Sequence, residues 1–293
     1  MHLKTFKGIL LVALGAISYG ILATIVKYAT NAGAHTGALT FFQAVTGVVF
    51  LYPLMLIQLK KSSSAVSSPS KFKLILFGTT LGLTSCLYYL TIQYVPVSIG
   101  IILLMQSIWM SIVWEMIQER KLAHWTKLVG CVTILFGTVL ATNLHQQNIA
   151  IPLEGLLIGL SAALSYTASL HASNHVEKNA PSNARSFYLI LGSFITVLLF
   201  WNCSIFEHWD WWVFLKFGIV IGLFGTVIPP LMFTKGIPLI GLGLAGILIA
   251  LEIPVSIFSA YTILGETVTS TQWLGVAIIL ATIILIQLKK TKN

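Results

Sequence analysis

One acidic residue interrupts an otherwise apolar run: Glu252, followed two positions later by Pro254. A carboxylate in such a run is costly unless it is paired, protonated or turned to water. Two chemistries suit it: contact with a substrate amine, or carriage of a coupling proton. The plainer role is a protonated acid that ties its helix to a neighbour. Pro254 removes a backbone donor and can free nearby carbonyls. Gln106 is a neutral polar residue in a second apolar run, fit for a substrate contact or an interhelical hydrogen bond. Lys27 ends a third run, where it can meet a substrate carboxylate or reach the interface. His171 and Asn174 lie about one helical turn apart, with His175 beside them, and a histidine there offers a proton relay or a packed neutral ring.

The elements that must position these groups follow from composition. The 293 residues are 57% hydrophobic and only 9% charged, with a mean hydropathy of +0.91. Soluble domains carry roughly 25% charged residues. So little charge excludes a soluble globular enzyme and also a disordered chain, leaving a polytopic membrane protein. Each apolar run of about 20 residues reads as one helix, because a backbone in lipid must satisfy its own hydrogen bonds. Ten such runs are present, at about 8–28, 37–59, 72–92, 97–117, 126–143, 153–174, 184–203, 211–233, 239–262 and 271–288, with short turns around Pro96, Pro152 and Pro238. The first follows Lys4 and Lys7 but has full span length and nine successors, so it is not read as a cleaved signal.

Of the 17 Lys and Arg residues, all but Lys27 and Lys216 fall on one side of a ten-span chain. The opposite loops hold Glu154, Glu207, Asp210 and Glu266. This asymmetry predicts cytoplasmic termini. The net charge of +9 therefore reflects topology, and no basic face exists for nucleic acid. Trp209, Trp211 and Trp212 read as an interfacial belt. Cys86, Cys131 and Cys203 form neither a disulfide framework nor a metal site. No P-loop, H-E-x-x-H or nucleophile elbow with a triad is found, so neither a cofactor nor catalytic residues are expected.

The halves of the chain repeat. A shift of 147 sets Gly8 on Gly155, Ser18-Tyr19 on Ser165-Tyr166, Gly78-Thr79 on Gly225-Thr226 and Glu119 on Glu266. A shift of 146 sets Gly100 on Gly246 and Gln106 on Glu252. This divides the chain into residues 1–147 and 148–293, five spans each. Five is odd, so the copies are inverted in the membrane, an arrangement that serves alternating access around a site between the repeats. Gly100, Gly246 and Pro254 are the candidate hinges. Transport is the function class that the repeat favours.

The second half contains Phe233-Thr234-Lys235-Gly236-Ile237-Pro238, Leu251-Glu252-Ile253-Pro254 and Leu264-Gly265-Glu266, ending in Gln272-Trp273-Leu274-Gly275. It resembles the second EamA domain of the drug/metabolite transporter superfamily. The first half resembles the first EamA domain through Gly15, Tyr19-Gly20, Lys27 and Glu119-Arg120. Ser107-Ile108 stands where the fourth helix of the family commonly has a proline, and Gln43 where the second commonly has an arginine. The resemblance implies an all-α, ten-helix secondary transporter of the inner (plasma) membrane that moves amino acids, other small metabolites or drugs, often outward. It also implies a central cavity in which Tyr19, Tyr88, Tyr89, Trp109 and Tyr166 lie on cavity-forming helices, where they can stack on an organic substrate or a cation. The expected partners are a small-molecule substrate, the lipid bilayer and protons as coupling ion. Two alternatives stay open: an importer or exchanger of a nucleotide-like metabolite on the same fold, and an integral membrane enzyme. The scarcity of basic residues inside the spans weighs against phosphates.

Overall fold

The computed structural model describes residues 2–62, 66–95, 97–143, 152–201 and 211–292. Pro96, Cys203, Glu207, Trp209 and Asp210, on which the sequence analysis placed expectations, lie outside these residues. Nine of the described helices are long and apolar enough to cross a membrane, and Trp125–Ala141 is a shorter apolar tenth. We number the spans α1 (His2–Asn31), α2 (Thr36–Ser62), α3 (Ser68–Tyr94), α4 (Val97–Met105 and Ser107–Glu119), α5 (Trp125–Ala141) and α6 (Leu153–His175). They continue as α7 (Ser182–Trp201), α8 (five consecutive segments from Trp211 to Ile240), α9 (Leu242–Ile249 and Glu252–Leu264) and α10 (Ser270–Lys292). Several helices outrun their apolar stretches. Hydropathy marks the lipid-facing length, whereas the hydrogen-bond ladder continues through polar interfacial residues. Lys235, expected in a loop after the eighth span, therefore lies inside α8.

The two repeats pack by one scheme. In the first, α3 packs on α6 and α7; in the second, α8 packs on α1 and α2. Helices α5 and α10, which correspond, pack on each other. Two hydrogen bonds repeat as well. The Ser18 hydroxyl of α1 donates to the Phe224 carbonyl of α8 at 2.7 Å, and its counterpart Ser165 of α6 donates to the Thr80 carbonyl of α3 at 2.8 Å. The closest backbone approach joins α3 to α7: a Cβ added at Gly78 would strike the Leu189 backbone, and one at Gly192 the Ile75 backbone. Glycine is required there because only it lets the helices touch backbone to backbone.

Helix α8 carries two π-helical segments, Phe214–Gly218 and Leu223–Val227, ahead of Pro229-Pro230. Hydroxyls of α1 and α2 reach these segments. Ser18 bonds the Phe224 carbonyl, and Thr46 bonds that of Gly218 at 3.2 Å.

Helices α4 and α9 are each broken near mid-span, at repeat-related positions. At Gln106 the backbone N–H turns to the Leu103 carbonyl, three residues back. In α9, Ala250 bonds Ile247 and Leu251 bonds Leu248 with the same spacing. The halves nearer the basic side, Ser107–Glu119 and Leu242–Ile249, pack on each other. The remaining halves, Val97–Met105 and Glu252–Leu264, have no comparable packing on each other. The pair thus forms a V, closed on the side of the termini and splayed on the other.

Candidate functional site

Glu252 opens the second half of α9, at the apex of this V. Its placement follows from the break. The last turn before Glu252 is tight, and Pro254 follows without a donor. The Ala250 carbonyl that Pro254 would leave open accepts instead from the Ile253 N–H at 3.2 Å, so the proline frees no ligand there. Gly20 of α1 packs on the Glu252 backbone; a side chain at position 20 would meet the Glu252 carbonyl oxygen and Val255. The corresponding position in α6, Thr167, donates to the Ser107 carbonyl of α4 at 3.5 Å. Each break is therefore held by the first helix of one repeat.

The side chain of Glu252 forms no ion pair or hydrogen bond with the described residues. Three tyrosines, Tyr19, Tyr88 and Tyr166, lie within electrostatic reach of its carboxyl group. Tyr19 and Tyr166 are repeat equivalents, and their rings meet edge to face with centroids 6.4 Å apart. Phe233 closes on Tyr19 at 5.8 Å. Tyr166 is buried and its hydroxyl has no hydrogen-bond partner among the described residues. On the basic side of this aromatic cluster lies a void of about 10 Å³, bordered by Ser169, Ser173, Pro230 and Phe233. That is room for about one water molecule. Aromatic packing and the joined halves of α4 and α9 thus shut the centre toward the basic side. On the other side the rings of Tyr88 and Tyr89 meet edge to face, with centroids 6.1 Å apart, and both keep some exposure.

The other residues expected at the site are dispersed. Lys27 is paired to Glu266 at 2.7 Å, with side chains 52% and 37% exposed. It sits two helical turns beyond Gly20, at the splayed end. Gln106 works at its own break: its amide donates to the Ile102 carbonyl at 3.1 Å and accepts from the Trp109 indole at 2.9 Å. Trp109 is 40% exposed. His171 lies between Trp114, at 5.1 Å, and His175, at 5.2 Å, and Asn174 is buried one turn on. Gly246 faces Ser111 and the Ile108 carbonyl where α9 crosses α4, whereas Gly100 faces Ile92 and Tyr88 of α3.

Two further polar clusters lie toward the basic side. Glu115, 7% exposed, pairs with Lys127 and rests against Gly241 and Gly243 at the start of α9. A carboxylate there is favoured by the N–H groups of the helix start. Arg185, at the start of the seventh apolar run, is buried in α7 and donates to the carbonyls of Ala172, Ser173, Val176 and Thr234. It closes the end of α6 against α7 and α8. Its only sequence signal is an arginine next to an apolar run.

Comparison with known proteins returns one family and one fold. The EamA-like transporter family matches residues 6–143 and again residues 153–288. A solved structure described as "Crystal structure of protein" superposes with a TM-score of 0.76, covering 93% of this chain and 96% of its own, at 14% identity. That likeness carries the fold alone. No curated protein matches the chain.

Proposed function

Because this chain belongs to the EamA-like transporter family of membrane proteins, we propose that it is a secondary transporter that exports small polar organic metabolites, amino acids or related compounds. The basic side is then cytoplasmic and the membrane is the inner one. Residues 1–147 and 148–293 act as the two transport repeats.

The observation that carries this reading is the Glu252 carboxyl at the apex of the V, without an ion pair or hydrogen bond among the described residues and within electrostatic reach of Tyr19, Tyr88 and Tyr166. A substrate ammonium group satisfies the carboxylate, and the tyrosine faces and hydroxyls receive the rest of an amino-acid-sized molecule. A proton satisfies the carboxylate when the substrate leaves, which couples transport to the proton gradient. Alternating access follows from the inverted repeats. In the opposite state the outer halves of α4 and α9 join and the inner halves part, with Pro254, Gly246 and Gly100 near the moving segments.

The test is uptake of a labelled amino-acid and metabolite panel into proteoliposomes, with and without a pH gradient. We expect saturable, gradient-dependent accumulation that Glu252→Gln abolishes. Transport that persists in Glu252→Gln with its gradient dependence intact would remove Glu252 from the mechanism.

A further inference from the structure

We propose that the groove between α4 and α6 is a binding site for one anionic phospholipid from the leaflet on the basic side. The groove encloses about 450 Å³ and is walled by Trp109, Val113, Trp114, Ile117 and Leu164, with Gln118 at one end. Apart from Gln118 the named wall is apolar or aromatic, and Trp109, Val113, Ile117 and Leu164 are all exposed, so the groove lies on the outer surface of the helices. A polar metabolite has no partner in it; an acyl chain does. Its length fits one leaflet. Trp109 to Gln118 spans nine residues of helix, about 14 Å, close to half of a hydrocarbon core of about 30 Å.

The charge at its mouth selects the headgroup. Arg120 and Lys121 follow Gln118 directly after Glu119, and Lys178 follows the end of α6; all are exposed. Two acids lie near. Glu119 is exposed, while Glu177 is engaged by Lys73 at 3.6 Å and Ser70 at 2.8 Å. The cations remain in excess, which suits a phosphate on a lipid of net negative charge.

The groove also touches the broken helix. Trp109, one of its walls, bonds the Gln106 side chain, which in turn plugs the Ile102 carbonyl at the break. Trp114, another wall, lies against His171 of α6. A chain seated there buttresses the bend of α4.

Native mass spectrometry of the full-length protein with added phosphatidylglycerol or phosphatidylcholine tests this directly. We expect one phosphatidylglycerol to be retained in preference to phosphatidylcholine. Val113→Trp, which fills the groove, removes the bound lipid. The surface variant Arg120→Gln/Lys121→Gln, which leaves the groove intact, weakens the preference by up to about thirtyfold. Equal retention of both lipids by the unmodified protein overturns the proposal. So does retention unchanged in a monodisperse Val113→Trp protein, or a second copy of the chain in place of lipid.

Discussion

Glu115 and Glu252 are both carboxylates on broken helices, and their surroundings separate their roles. Glu115 has Lys127 and the start of α9 against it, whereas Glu252 has neither an ion-pair partner nor a hydrogen bond among the described residues. Lys27 belongs with the first kind, since Glu266 already holds it, at an exposed site where ion pairs contribute about 0–1 kcal/mol before salt screening. Lys27→Ala is therefore expected to shift the thermal midpoint by no more than a few degrees and to leave transport within about fivefold of the unmodified protein. Thermal unfolding and initial uptake rates check both. Loss of transport at unchanged stability would return Lys27 to the substrate. At this scale the sequence is uneven. An acid inside an apolar run is visible by type alone, so Glu252 is legible. The partner of Lys27 is not, because Glu266 lies 239 positions away and only folding brings them together. Nor is the facing of Trp109, because one residue of slip around a helix turns a side chain by about 100°.

Among the helices, the tightest contact is that of α3 with α7, where backbone meets backbone at Gly78 and Gly192. Gly192→Ala forces these helices apart and should destabilise the protein by about 1–3 kcal/mol. Gly33→Ala is the control: nothing stands within 4 Å, although its φ of +88° strains any side chain by about 1 kcal/mol. Thermal unfolding in detergent, compared for the two variants, measures the difference. An equal loss in both would mean that the α3–α7 contact tolerates a methyl group. The ten helices were legible because lipid enforces them run by run. Their breaks were not equally so. Pro254 marks the bend of α9, but α4 bends without a proline, by a side-chain hydrogen bond from Gln106. The π segments of α8 had no signal beyond Pro229-Pro230, since they depend on hydroxyls supplied by α1 and α2.

For the molecule as a whole, the V of α4 and α9 assigns a side to each residue near its apex. In a background without native cysteines, Tyr88→Cys should react with an impermeant maleimide added on the side away from the termini. Ser111→Cys, buried where α4 crosses α9, should resist reagent from either side. Reaction of both from the side of the termini would place the opening at the wrong end. The repeat made the V's symmetry readable from a shift of 146 or 147 residues, but which arm stands open is a property of one conformation and has no trace in composition.

The Glu115–Lys127 pair has no twin in the second repeat. The matching positions hold Ala260, Tyr261 and Thr262, and Gln272, Trp273 and Leu274, none of them charged. The proposed mechanism therefore joins two conformations that are alike in packing but unequal in free energy, and the idle protein dwells in the one the pair fastens. Each 1.4 kcal/mol of that inequality is a factor of ten in occupancy. Glu115→Gln/Lys127→Met removes the fastening without stranding a buried charge. It is expected to raise the resting share of the opposite conformation, read as slower labelling at Tyr88→Cys. Unchanged labelling would mean that the bias resides elsewhere. A transporter built from two like halves thus need not rest midway: one unmatched ion pair is enough to decide which side of the membrane the empty site waits on.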